Sequence, residues 1–181
     1  IELQKGFFER PEDFLGDDED IHSCIERLTT EKLGDLGKKI HTGKSRNDQV
    51  VTDLRLYLLD KLTETVDSIE AVMKALWTLA DEHLDVVFPG CTHYQTAQPV
   101  LLSHHFLAYF EKFSRDRIRF IQNIETTDVC PLGSGALAGN NYELDRAALG
   151  QRLGFDKITR NSMDAVSDRD FILEYCAFAS M

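Results

Sequence analysis

Residues 51–80 read VTDLRLYLLDKLTETVDSIEAVMKALWTLA, and their periodicity decides the fold. Val51, Leu54, Leu58, Leu62, Val66, Ile69, Met73, Leu76 and Ala80 recur at a mean spacing of about 3.6 residues, the period of an α-helix. No proline or glycine interrupts residues 45–87. The pattern predicts one helix from Asn47 to His83, roughly 55 Å long at ~1.5 Å per residue. Ser45 followed by Asp48 supplies a capping pair at its start. A stripe of that length needs other long helices beside it.

The flanking segments extend the same reading. Ile21, Ile25 and Leu28 predict a helix over 18–33, with Gly34 placed as its C-terminal cap. The turn Pro89-Gly90 ends the long helix, and GCTHYQTAQP (90–99) reads as a polar loop. Pro99 suits the first turn of a further helix, with Leu102, Phe106, Phe110, Phe113, Phe120 and Ile124 as its apolar face. PLGSGALAGNN (131–141) reads as irregular, 145–153 as a short helix closed by Gly154, and a last helical pattern starts at Ser167 to Asp170. Strand signals are weak throughout. The expected class is all-α, built on long bundle helices.

Composition narrows the functional classes. The chain has 181 residues, 43% of them apolar, and a net charge of -11. An acidic body disfavours nucleic acid and anionic membranes as partners, and no apolar run has the length to cross a bilayer. Cys24, Cys91, Cys130 and Cys176 form no CxxC pair. With no signal peptide in the sequence, they are expected to be reduced thiols of a cytoplasmic protein. The chain begins without methionine and stops inside an apolar helical pattern, so it is expected to be a fragment.

The chemistry-bearing residues gather in the polar loops at helix ends. HTGKSRNDQVVTD (41–53) places Lys44, Ser45, Arg46 and Asn47 at a helix N-terminus, where unpaired N–H groups and a partial positive charge attract carboxylates and phosphates. Arg46 can grip a carboxylate in a bidentate pair, and Asn47 offers two amide donors. The plainer reading is that Ser45 caps the helix while Lys44 and Arg46 are solvated. His93, between Thr92 and Gln95, suits proton transfer near neutral pH but also fits a structural or merely exposed histidine. His22 reads as a local hydrogen-bonding residue. No two of the six histidines have metal-pair spacing, so no metal is expected. The glycines of 131–140 lack the GxxxxGK[ST] pattern, which argues against a nucleotide; they read as turn or close-approach positions.

Taken together, these segments resemble a known family. HTGKSRNDQVVTD is similar to the first signature of argininosuccinate lyase and its lens relative δ-crystallin, in the fumarase/aspartase superfamily. GCTHYQTAQP resembles the second signature. PLGSGALAGN, NSMDAVSDRDF (161–171) and EDIH (19–22) also fit, in the right order, over nearly the whole chain. The resemblance implies the end of an N-terminal helical domain at 1–43 and the first part of the central long-helix bundle domain at 44–181. It further implies a homotetramer whose active sites are shared between subunits. The implied reaction is reversible cleavage of argininosuccinate to arginine and fumarate, without a cofactor. His93 would be the acid/base residue, and Ser45, Arg46, Asn47 and Thr92 would bind substrate. A third signature, GSSxMPxKxNP, carrying the family's catalytic serine, would lie beyond Met181, so the isolated fragment is expected to be inactive. Lys44, Cys91, Tyr94 and Thr96 depart from the residues usual in the family. A catalytically silent crystallin-like protein and another lyase of the superfamily remain as alternatives.

Overall fold

The computed structural model describes residues 16–181. The expected first-domain segment, 1–43, therefore lies partly outside the described residues.

Two long helices dominate. Helix α1 spans Ile21–Leu33, and α2 is a single turn, Asp35–Lys38, followed by a 3₁₀ turn at Lys39–His41. Helix α3 runs unbroken from Arg46 to Glu82. A β-hairpin, β1 (Val87–Thr92) and β2 (Gln95–Leu101), reverses the chain. Helix α4, Leu102–Thr127, then returns antiparallel along α3. That direction is marked by contacts at successive levels: Arg55 with the carbonyls of Thr126 and Thr127, Glu70 with Arg117, Trp77 with Phe110, and His83 with Phe106. The remaining elements are β3 (Val129–Cys130), α5 (Arg146–Leu153), β4 (Lys157–Ile158), α6 (Ser162–Ser167) and α7 (Asp170–Ala179).

The all-α expectation describes this architecture, with one local correction. Residues 87–101 form paired strands where the sequence read as a polar loop leading into a helix at Pro99. Pro99 instead lies in β2 opposite Pro89, and the register slips between Gly90 and Cys91. Proline cannot donate to a strand ladder, and two opposed prolines are tolerated here because the hairpin has no further strand beside it among the described residues. Helix α4 begins only after it.

Packing explains which parts of the predicted stripe are buried. Val51, Leu58 and Leu62 are enclosed with Phe120 of α4 and Phe171 of α7, while Leu54, Val66 and Ile69 pack at the margin. Tyr175 and Phe178 meet the Phe120 ring at 5.6 and 6.0 Å. The neighbouring face of α3, through Leu56 and Leu59, covers a second small core of Cys130, Leu132 and Phe155. There the parallel pair β3–β4 closes the chain back onto itself. Toward its far end α3 loses cover, and Val72, Trp77 and Leu79 are exposed.

Arg55 ties the long helices together. Its guanidinium donates to Thr126 O and Thr127 O at 3.0 and 2.9 Å, pairs with Asp168, and lies 4.2 Å from the Phe171 ring centroid. A cation at the C-terminal carbonyls of α4 meets the negative end of that helix. Burial pulls the Arg55 pKa down, and the Asp168 charge opposes that pull.

Candidate functional site

The start of α3 is capped as its sequence predicts. The Ser45 N–H donates to Asp48 Oδ1 at 2.8 Å, and the Asn47 N–H donates to Ser45 Oγ at 3.3 Å. Beyond the cap, Asp48 is fully buried, and its second oxygen accepts from the backbone N–H groups of Gly133 and Gly135 at 3.0 and 2.8 Å. Two further bonds fasten the glycine-rich loop to the same segment. Asn47 Nδ2 donates to Ala136 O at 3.1 Å, and Asn140 Nδ2 donates to Gly43 O at 3.1 Å and Gly133 O at 3.2 Å. Only glycine fits at position 135. Its φ is +64°, and a Cβ there would lie 2.3 Å from Gly139 O.

The opening between these segments is a cleft of about 490 Å³, with Lys38, His41, Lys44 and Ser45 on one side and Ala136 and Asn140 on the other. Lys44 makes no ion pair among the described residues. Arg46 is heavily committed: Nε lies 3.0 Å from Asp20 Oδ2, Nη1 lies 3.3 Å from Glu26 Oε1 and 2.8 Å from Gln49 Oε1, and Nη2 donates to Ser23 Oγ at 3.1 Å. The bidentate grip that the sequence suggested is thus directed at carboxylates of α1 and the residue before it. His41 Nδ1 also meets Glu26, at 2.9 Å. His22, read from the sequence as a local hydrogen-bonding residue, instead reaches across to α3, with Nδ1 3.2 Å from Asp53 Oδ2. Burial pushes the Asp53 carboxyl up, and the neighbouring His22, Lys44 and Arg46 pull it back.

Thr92 and His93 lie elsewhere. They sit at the tip of the β1–β2 hairpin, beyond the opposite end of α3 from Ser45, Arg46 and Asn47. A helix of 37 residues spans roughly 55 Å, so one chain does not bring the two sets together. His93 and Tyr94 form a two-residue hairpin loop, with φ of 50° and 60°. Positive φ at both loop positions is the requirement of a type I′ turn, which usually takes Asn-Gly. Histidine is among the few residues enriched in that region, whereas tyrosine is not. Such strain is common where a side chain is being aimed. Both residues are exposed in this chain.

Among the described residues, no group of three or more His, Cys, Asp or Glu is placed to hold a metal ion. Likewise, no helix among them is long and apolar enough to cross a membrane. Two features escaped the sequence reading: the Asp48 bonds to the glycine loop, and the capture of Arg46 by Asp20 and Glu26. The glycine spacing at 133, 135 and 139 was visible, but nothing in it named a partner 85 positions away.

A family model described as Lyase matches residues 15–181. An argininosuccinate lyase of Heliobacterium mobile is 53% identical over 163 residues, 90% of this chain and 36% of that protein. The argininosuccinate lyase of Pelobacter propionicus is 48% identical over all 181 residues, 39% of its own length. The chain therefore spans well under half of the curated relatives it matches. Among solved structures, a variant of EDDS lyase with bound fumarate superposes with a TM-score of 0.86 at 28% identity, covering 97% of this chain and 35% of that one. With nearly its whole length matched by one family model, on a helical frame shared with that enzyme, the chain belongs to the lyase family.

Proposed function

We propose that the full-length protein is a cytoplasmic argininosuccinate lyase that reversibly cleaves argininosuccinate to arginine and fumarate as a homotetramer. The observation that carries this reading is that relatives named argininosuccinate lyase, 48 to 53% identical, align over at least 90% of the chain. The geometry supports it. A helix N-terminus beside Lys44, which makes no ion pair among the described residues, suits a dicarboxylate, and the exposed histidine sits on a turn whose backbone holds it outward.

In this reading residues 1–43 end an N-terminal domain, and 44–181 begin the central bundle. Ser45, Asn47 and the α3 N-terminus hold the succinyl carboxylates, with Thr92 donating from the hairpin of another subunit. Arg46 joins them by exchanging Asp20 or Glu26 for substrate. A base removes the proton from the succinyl carbon next to a carboxylate, leaving an aci-carboxylate whose added negative charge these donors stabilise. The C–N bond then breaks as an acid protonates the departing guanidinium nitrogen, giving fumarate and arginine. His93 takes one of these proton-transfer roles, and a residue outside the chain takes the other. The 181 residues alone are inactive on this account.

The test is fumarate release from argininosuccinate by the full-length protein, followed by its ultraviolet absorbance. His93→Asn should lower turnover by about 10²-fold or more. Near-normal turnover in that variant would remove His93 from the mechanism, and no cleavage by the unaltered protein would refute the reading itself.

A further inference from the structure

The buried carboxylate of Asp48 does more than a cap requires. A capping box uses one oxygen, on the Ser45 N–H. The other oxygen gathers two N–H groups from a loop 85 and 87 positions away. Gly133 and Gly135 are alternate residues of one loop, and their N–H groups converge on one carboxylate oxygen as in a backbone nest. That nest is filled by the protein's own carboxylate, so the loop is held against the start of α3. Fixed there, it presents Ala136 O to Asn47 Nδ2 and Asn140 to Gly43. One Asn47 N–H is thereby committed to the loop, which sets the plane of the amide and the direction of its remaining donor. Asn47 is otherwise exposed, and no other side-chain bond of its amide competes for that orientation among the described residues. The loop's outer side, Ala136 and Asn140, lines the cleft opposite Lys44 and Ser45.

We propose that the glycine-rich loop 133–140 is a wall of the substrate cleft, and that Asp48 is the positioning residue that holds this loop and, through it, aims Asn47 at a substrate carboxylate. The inference rests on the lyase reading above and deepens it.

The full-length protein tests it with two variants that disturb the clamp from opposite sides. Asp48→Asn cannot satisfy both ends: whichever way the amide turns, its NH₂ faces an N–H donor. Gly135→Ala leaves Asp48 intact but displaces the loop, because the added Cβ would fall 2.3 Å from Gly139 O. Both should raise KM for argininosuccinate at least tenfold and lower kcat as well, because a misdirected Asn47 both grips the substrate carboxylate less and stabilises the aci-carboxylate less. The double variant should be no worse than the poorer single, since both act through one contact. A merely structural clamp would lower the melting temperature or the active fraction and leave KM alone; that result would overturn the proposal. Amide hydrogen exchange on the unaltered protein keeps the test open if Asp48→Asn does not fold. Fumarate should slow exchange across 133–140. A protein that cleaves argininosuccinate but whose loop ignores fumarate overturns the positioning role alone. A protein that neither cleaves argininosuccinate nor binds fumarate overturns the lyase reading, and this inference with it.

Discussion

At the residue scale, the first signature shows how far capping and ligand binding compete for the same groups. Ser45, Arg46 and Asn47 are the residues an anion site would use, yet all three spend donors on the protein itself. Arg46 depends on Asp20, and Asp20 has a second task as the N-cap of α1. The Ser23 N–H is the largest influence holding the Asp20 carboxyl below the usual carboxylate range, against the opposing pull of burial; the Ser23 hydroxyl and the charges of Arg46 and His22 add to it. A carboxyl whose folded pKa is depressed stabilises the fold above its unfolded value, about pH 4, and loses that contribution as pH falls through the folded value. Asp20→Asn keeps a capping oxygen but removes the charge. Relative to the variant, the unaltered full-length protein should therefore show slower amide exchange at Ser23 and Cys24 at neutral pH. The difference should shrink toward nothing below pH 4. A gap that persists unchanged into strong acid would mean that the charge is not what anchors α1.

At the scale of elements, the long helices could be read from sequence and the hairpin could not. Helix α3 announces itself because one face is apolar at a fixed period, and its start because Ser45 and Asp48 have the spacing of a capping pair. Residues 90–99 are almost wholly exposed on both faces, so burial imposes no alternation that a sequence would record. Their register comes from backbone hydrogen bonds, and their turn uses His-Tyr where Asn-Gly is the usual signal. The candidate site was legible to the same extent. Its residues at the start of α3 stood out by charge and position. The Asp48 contact with Gly133 and Gly135 is a tertiary meeting of segments with no local signature. Arg55 was likewise hidden, falling inside the helical stripe region with nothing to mark it as buried. It joins α3 to the end of α4 and, through Asp168, to the start of α7. Replacing it with Met removes one partner of a buried pair and leaves two helix-terminal carbonyls without their donor. Arg55→Met should cost about 3 kcal/mol, read as a lower denaturant midpoint with an unchanged m-value. A loss below about 1 kcal/mol would show that Asp168 and the carbonyls are re-solvated at little cost.

At the scale of the whole molecule, the question is what covers the far halves of α3 and α4. The enclosed core lies near the start of α3, whereas Val72, Trp77, Leu79, Leu84, Val86, Tyr109 and Ile118 are exposed in this chain. Exposed apolar side chains gathered at one end of a helix pair suit an interface, and the proposed tetramer supplies long helices of the same kind to cover them. The position of the chemistry argues in the same direction. Asn47 and His93 stand at opposite ends of α3, roughly 55 Å apart along its axis. A single site using both must therefore take them from different copies. This has a consequence that no monomeric arrangement shares. Full-length Asn47→Ala and His93→Asn should each be nearly inactive as homotetramers, because every site contains the lesion. In hybrids, some sites draw Asn47 from one parent and His93 from the other, and those sites are intact. Refolding the two variants together should therefore give activity well above the sum of the separate preparations. Mixing them without dissociation should give none. Steady-state rates on the refolded mixture, with native mass measurement to establish that hybrids formed, make the comparison. Confirmed hybrid tetramers with no recovered activity would place Asn47 and His93 in different sites, and the shared-site arrangement would fall.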